Sequence, residues 1–483
     1  MFFLIYPLAF FLSMAMSYAL NLQGTPINPD GVCYLLSAET IHLHHLQQAM
    51  QLCGPARWPL YAMLINALTL ISHLSYFNAA FLLDAFFAAL TAVFFIAIVR
   101  AIGGSARVMW FALLVILCAY EFNHLRNNVI RDHGFWAMYL ASMLCLMAYF
   151  RAPSWAKALL FSVLLYIGTL FRIEGVLFLA FLPFIAFILP KHSWFGRIGR
   201  FIQLHSLNIV VGILLLSWLA WHPHGLNQLG RVSDIVTQLQ NGLSIIHHNM
   251  LSAKQAFTAF LPVDGKHDAG MLVWLTFICW YLVNIIASVS IVYALILMLG
   301  LATRLLPANR VLLVYMIINV CFTLFFLAEY LFLSKRYVMA LSLTLMLFIP
   351  FILDGWRQRH RLLFFIAILA TLMAGILPFL QGEDSKAYLM QAGEWLSKTV
   401  PASSQLYSND YLVMYYSRHF GTNIFQAYQQ NPSLQLLVNG GWQHYNYLAL
   451  RVNNNDALAK QIPIAPVATF VSGQNRVVIY RVK

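Results

Sequence analysis

The chain has 483 residues, of which 61% are hydrophobic, 15% aromatic and only 9% charged, whereas about a quarter of a soluble globular chain is charged. This excludes an ordinary soluble enzyme and makes the lipid bilayer the solvent for most of the protein. The formal net charge of +13 would suggest nucleic acid in a soluble chain, but Lys and Arg beside membrane spans report orientation instead, so no nucleic-acid partner is implied.

Apolar runs near the roughly 20 residues that span hydrocarbon recur along the first four-fifths of the sequence and then stop. The expected fold class is mainly α: a polytopic helical membrane protein of about eleven spans over residues 1–380, with interfacial helices and a small α/β extracytoplasmic domain over 381–483. Met1 to Leu20 has no basic flank and no small-residue cleavage site, and reads as a retained first span. The loops holding Arg100 and Arg107, Arg151 and Lys157, Lys191 with Arg197 and Arg200, Arg304 and Arg310, and Arg357 with Arg359 and Arg361 are almost free of acids, and so are cytoplasmic. The segments around Asp132, Glu174, Trp221 to Gly270, Lys335 and everything after Gln381 then lie outside, with one span between neighbouring loops. Counting backwards makes 21–78 a large external loop with Trp58 to Ser72 as a helix in the outer interface. The alternative is a true span there, with the N-terminus outside.

The tail alternates. A helix is expected around Ser385 to Lys398, a strand near Gln405 to Ser408, a helix at Tyr411 to Arg418, and strands near Tyr445 to Val452, Val467 to Val471 and Arg476 to Arg481, punctuated by Pro401, Gly421, Pro432, Gly440 and Gly473.

Ionisable residues at span mouths must find water or partners, and for that reason mark functional sites. Asp30, in Asn28-Pro29-Asp30-Gly31-Val32-Cys33-Tyr34, follows the first span and stands at the start of a helix-favouring stretch, where a simple N-cap is the competing reading. The second constellation is Arg126-Asn127-Asn128-Val129-Ile130-Arg131-Asp132-His133. Arg172 and Glu174, and Lys335-Arg336-Tyr337, lie in very short loops on the same expected side. Asp84 alone among the acids sits within an apolar span, facing either the interface or a cavity.

The order of these features resembles the GT-C superfamily of polyprenol-phosphate-sugar-dependent membrane glycosyltransferases, in particular the protein O-mannosyltransferase and lipid A aminoarabinose transferase branch. The resemblance rests on Asp30 with Tyr34, Arg57-Trp58-Pro59-Leu60, Ile102-Gly103-Gly104-Ser105, Arg131-Asp132, Arg172-x-Glu174-Gly175 and Arg336-Tyr337. In the tail it continues through Glu394-Trp395-Leu396 to Pro401, Leu406-Tyr407-Ser408 and Tyr415-Tyr416-Ser417-Arg418. Two departures stand out. Many relatives carry a tandem Asp-Glu where this chain has Asp30-Gly31, and the lysine of their Lys-Pro-Pro-Leu stretch appears here only as Arg57.

The resemblance implies transfer of a sugar from a polyprenyl-phosphate donor to an acceptor hydroxyl on protein, lipid or polysaccharide, with inversion, at the outer face of a bacterial inner (plasma) membrane. Such chemistry needs a base for the hydroxyl proton and cations for the departing phosphate. Asp30 is the expected base and Asp132 a second catalytic carboxylate. Tyr34, Arg57, Arg131, Arg172, Glu174, Lys335, Arg336 and Tyr337 are the expected donor-phosphate and substrate residues, with Arg336 foremost because its planar fork suits phosphate. No cofactor is assigned. His42 and His45 have ligand spacing for a divalent metal, but a third and fourth ligand cannot be named. Cys33 and Cys53 share the first external loop, and the sequence leaves open whether they pair. A multi-span transporter and an envelope glycan ligase or polymerase are the competing functions. The first wants charges at mid-membrane in paired halves, the second its key residues in a long external loop such as 221–270.

Overall fold

The computed structural model describes residues 2–23, 27–188, 193–222, 231–302, 307, 309–380, 386–421, 423–432, 437, 440–453 and 462–483. Lys191, His224 and Arg304 lie outside them. Among the described residues seven helices are long and apolar enough to cross a membrane: Tyr76–Ala101, Asp132–Arg151, Trp194–Trp221, Asp264–Val289, Arg310–Tyr330, Lys335–Arg359 and Arg361–Leu380. Shorter apolar helices include Ile5–Asn21, Ala106–Leu117, Trp155–Phe171, Gly175–Ile188 and Ile291–Ala302. The protein is an integral membrane protein with a mainly helical fold and a small sheet near its C-terminus.

The chain divides into two compact units. The first comprises Met1–Tyr18, Leu82–Arg126 and Arg131–Pro378; the second comprises Ala19–Phe81, Asn127–Ile130 and Phe379–Lys483. One boundary between the units falls between Pro378 and Phe379, and residues 21–78 belong to the second unit together with the C-terminal segment.

In the first unit, the short connections read as cytoplasmic supply helix caps. Ser105 accepts from the Val108 amide, Ser154 from Lys157, Ser193 from Gly196, and Asn309 from Val311, each satisfying an amide that the first helical turn leaves unpaired. Helix Asp132–Arg151 is the most enclosed of the long helices. Its Gly134 lets it approach the Trp155–Phe171 helix closely, since a Cβ there would meet the Phe171 ring at 2.5 Å. The segment from Gly270 to Ala302 is divided into two helices, Ala269–Val289 and Ile291–Ala302, at Ser290, which has a φ of 82°. Within the expected long loop 221–270 lies one long helix, Arg231–Phe260.

Arg126 is buried at the end of the Tyr120–Leu125 helix. Its Nη1 donates to the Ser13 carbonyl (3.1 Å), Ser13 Oγ (2.9 Å) and Ser17 Oγ (2.9 Å), and its Nε donates to Asn123 Oδ1 (2.9 Å). The Phe122 ring lies 4.8 Å from the guanidinium.

In the second unit, helix Pro29–Leu43 is joined to the following segment by a disulfide between Cys33 and Cys53, with Cα atoms 6.2 Å apart. Helix Leu60–Ser72 packs on it through Tyr34 and Tyr61, whose rings meet edge to face at 5.0 Å. At 13 residues it is about 20 Å long, short of the roughly 30 Å of hydrocarbon a span must cross. Strands β1 (Leu406–Ser408), β2 (Tyr447–Asn453), β3 (Pro466–Ser472) and β4 (Asn475–Arg481) form one sheet in the order β1-β2-β4-β3. β1 runs parallel to β2 and the other pairs are antiparallel, with Leu450 opposite Val478 and Gly473 turning the last hairpin at φ 58°. Tyr407, Leu448, Leu450, Val478 and Tyr480 are the core of one face. Helices Ala387–Thr399 and Tyr411–Ser417 occur where expected, the latter capped by Asp410, which also binds Arg451 at 2.9 Å.

Candidate active site

A five-residue turn builds the centre of the site. Helix Trp155–Phe171 ends as the Arg172 amide donates to the Gly168 carbonyl (2.8 Å), and the chain at Arg172 is then extended. The Gly175 amide returns to the Arg172 carbonyl at 3.0 Å, so Arg172 and Glu174 project together. The guanidinium grips Glu174 with two parallel bonds, Nε to Oε2 at 3.1 Å and Nη2 to Oε1, while Nη1 donates to Asp132 Oδ1. Asp132 is brought there as the first residue of helix Asp132–Arg151. One arginine thus holds two carboxylates, and Arg131 and Arg336 add attraction from nearby, both on Asp132 and Arg131 also on Glu174.

All three groups of this cluster are withdrawn from solvent, with side-chain exposures of 6% for Arg172, 4% for Asp132 and 12% for Glu174. Burial pushes the Glu174 carboxyl up, but the Arg172 guanidinium outweighs it and holds the group below the usual carboxylate range. Burial opposes the charge on Arg172 too, and the fields of Asp132 and Glu174 more than reverse this, so that it stays protonated at any working pH. Three guanidiniums against two carboxylates leave a surplus positive charge. Such a surplus in a low-dielectric place suits an anion.

Beside the cluster opens a small pocket. Arg172, Glu174 and Arg336 form its charged wall, and Phe135, Trp136, Phe178, Phe322 and Tyr337 its aromatic one, with Asn319 and Ala340 completing it. Arg172 lies 4.5 Å from the Tyr337 ring centre and Arg336 lies 5.3 Å from it, so this ring organises both cations.

Of the residues singled out in the sequence, the structure brings Asp132, Arg131, Arg172, Glu174, Arg336 and Tyr337 into one neighbourhood. Lys335 goes elsewhere: its Nζ binds Glu121 Oε2 at 2.9 Å, and only its two successors line the pocket, because consecutive helical residues point about 100° apart.

Asp30, Tyr34 and Arg57 belong to the second unit. Asp30 is half-buried in the first turn of helix Pro29–Leu43, but Asn28, not Asp30, holds the N-cap position, and Asn28 Oδ1 accepts from the Val129 amide at 2.8 Å. The pure capping reading of Asp30 is thereby set aside. Burial, then the charges of Asp410 and Asp30, push the Tyr411 phenol well up. Tyr34 is buried against Tyr61, and Arg57 is exposed at the end of a short turn. The absence of a second acid after Asp30 has a steric cause. A Cβ at Gly31 would come within 2.7 Å of Ile27 Cγ2, 2.8 Å of Asn28 Oδ1 and 3.1 Å of Val129 Cβ.

The spacing of His42 and His45 does not survive, since the helix ends at Leu43 and both imidazoles are exposed. Among the described residues no three His, Cys, Asp or Glu side chains converge as metal ligands.

No protein-family model matches the chain, and no curated protein matches it in sequence. Among solved structures it is similar to ArnT from Cupriavidus metallidurans, in a crystal structure with bound undecaprenyl phosphate, at 14% sequence identity and a TM-score of 0.56, over 99% of this chain and 97% of that one. The two share a fold. The likeness runs along nearly the whole of both chains, and at this identity it speaks for the fold alone.

Sequence reasoning missed Glu121, Asn319 and Trp136. Asn319 sits inside an apolar helix, and Glu121 and Trp136 flank the Arg126 to His133 constellation without belonging to it. Only the cost of burying a carboxylate or a carboxamide in such a helix signals that partners must exist.

Proposed function

We propose that the protein transfers a sugar from a polyprenyl-phosphate-linked donor to an acceptor hydroxyl at the extracytoplasmic face of a bacterial inner membrane. The observation that carries this reading is the buried Arg172 cluster beside an aromatic pocket with Arg336 in its wall, in a chain with the fold of ArnT, a protein crystallised with undecaprenyl phosphate. The surplus positive charge suits the donor phosphate, and the aromatic wall suits the apolar face of a sugar ring.

In this reading Asp30 is the base. It takes the hydroxyl proton as the acceptor oxygen bonds to the anomeric carbon and the bond from that carbon to the phosphate oxygen breaks. Polyprenyl phosphate leaves with the electron pair, and the configuration inverts. Arg336 and Arg131 hold the departing phosphate. Asp132 and Glu174 keep the Arg172 fork in place, and Asp132 orients the reacting groups. Lys335 joins the phosphate when it leaves Glu121, and Tyr34 and Arg57 are further donor-binding residues. Acceptor protein, lipid or polysaccharide all offer the required hydroxyl.

The test is sugar release from a radiolabelled polyprenyl-phosphate donor by purified wild type and by Asp30→Asn, with folding checked for both. Turnover by wild type, and donor binding without turnover by the variant, is the expected result. If wild type consumes no donor from a panel of sugars, the reading fails, and flux measurements for a transporter follow.

A further inference from the structure

Asn319 is the one neutral amide among the residues lining the pocket, and its orientation is fixed by acceptors that leave no choice. Its side-chain nitrogen lies 2.7 Å from the Tyr315 carbonyl oxygen. A main-chain carbonyl can only accept, so the atom facing it must be Nδ2. The same nitrogen donates to the Tyr139 hydroxyl at 2.8 Å. The direction of that second bond is set further along. The Thr344 hydroxyl donates to the Ala340 carbonyl (2.9 Å) and therefore accepts from Tyr139 (2.7 Å), so the Tyr139 oxygen accepts from Asn319. Both amide hydrogens are thus committed to the helix bundle. The remaining polar atom, Oδ1, belongs to a residue that lines the pocket.

An acceptor oxygen cannot hydrogen-bond a phosphate at neutral pH, because that phosphate has no proton to give. It can accept from a hydroxyl. The pocket lining thereby combines two chemistries, the cations Arg172 and Arg336 and the amide of Asn319, together with aromatic rings. The geometry points to Asn319 as a specificity-determining residue whose Oδ1 accepts from one hydroxyl of the donor's glycosyl unit. This rests on the transferase reading above and deepens it: one hydroxyl of the donor sugar enters this small pocket.

The experiment uses the full chain in detergent, the polyprenyl-phosphate hexose that wild type turns over fastest, and its mono-deoxy analogues. Wild type should lose about tenfold in kcat/KM for one deoxy position beyond the loss at the others. In Asn319→Ala that extra loss should vanish while ratios at the other positions persist. Tyr139→Phe, which removes one of the two anchors and keeps the amide, should reduce the same discrimination partly, and serves where Asn319→Ala does not fold. A wild type that transfers sugar but uses every deoxy donor equally overturns this inference and leaves the function standing, as does a folded Asn319→Ala with discrimination intact. A wild type that consumes no hexose donor at all removes both.

Discussion

Arg172 and Asp132 form an ion pair between the end of one apolar helix and the start of another, with side chains only 6% and 4% exposed. Pairs so enclosed are held by mutual need, because either partner alone would be a buried charge without compensation. Arg172→Leu strands two carboxylates at once and is expected to lower stability by about 3 to 5 kcal/mol and abolish turnover. Asp132→Asn leaves Glu174 paired and should cost less. Thermal unfolding in detergent ranks the two variants, and the reverse order would discredit the bridging role of Arg172.

Glu174 links this cluster to pH. Its folded carboxyl titrates below its unfolded value, so its contribution to stability is complete above the unfolded pKa and disappears as pH falls through the lower folded one. Unfolding temperature should therefore drop below the ordinary carboxylate range, and Glu174→Gln should flatten that part of the curve. Scans from neutral pH to about pH 3 on both proteins decide this. Parallel curves would show that other carboxylates carry the acid sensitivity.

The Lys335–Glu121 pair is asymmetric, 45% exposed on the lysine and 3% on the glutamate. Lys335→Ala leaves a buried carboxylate and should cost about 3 kcal/mol, whereas Glu121→Gln leaves an ammonium that reaches water and should cost no more than about 1 kcal/mol. The double variant should recover most of the difference. Equal single-variant losses would mean that Glu121 has another route to charge compensation.

Gly31 fills a space that admits no Cβ, so Gly31→Ala must displace Asn28 from the Val129 amide. A loss of about 1 to 3 kcal/mol is expected, with a larger one for Gly31→Glu. Unchanged melting of Gly31→Glu would refute the steric account.

Cys33 and Cys53 should resist alkylation of the denatured protein until reduced, unlike Cys118, Cys145, Cys279 and Cys321, which carry free thiols. Closing a loop of this length contributes about 3 kcal/mol, so Cys53→Ser should melt earlier by that amount. Labelling of all six cysteines without reductant would rule the bridge out.

Much of this was legible in the chain. Apolar run length located the helices, and the cap residues Ser105, Ser154 and Asn309 lie in the loops that Arg and Lys had marked. The strands from Leu406 to Arg481 appeared close to their expected bounds because alternation and turn residues are local signals. The site was legible where charge interrupts apolar sequence, at Asp132, Arg172, Glu174 and Arg336. It was not where the decisive fact is a partner far along the chain. Lys335 reads as a phosphate ligand in the sequence, where nothing reveals that Glu121, 214 residues away, stands beside it. Asn319 goes unnoticed in the sequence, because its amide takes a direction only from Tyr139 and Thr344. Ser290 gives no composition cue at all, for its break is a backbone angle.

Arg126 carries a consequence for how the protein is assembled. Three of the four oxygens that receive its hydrogens belong to Ser13 and Ser17, on a helix synthesised more than a hundred residues earlier. Before those oxygens are in place the guanidinium would keep only the Asn123 oxygen of the four, so Ile5–Asn21 is expected to remain beside the chain until Arg126 emerges. The first helix thus acts as a docking partner during biogenesis as well as a membrane segment. Shortening it past Ser17 would halt insertion at the Tyr120–Leu125 stage and leave the later helices intact in sequence but without a frame to join.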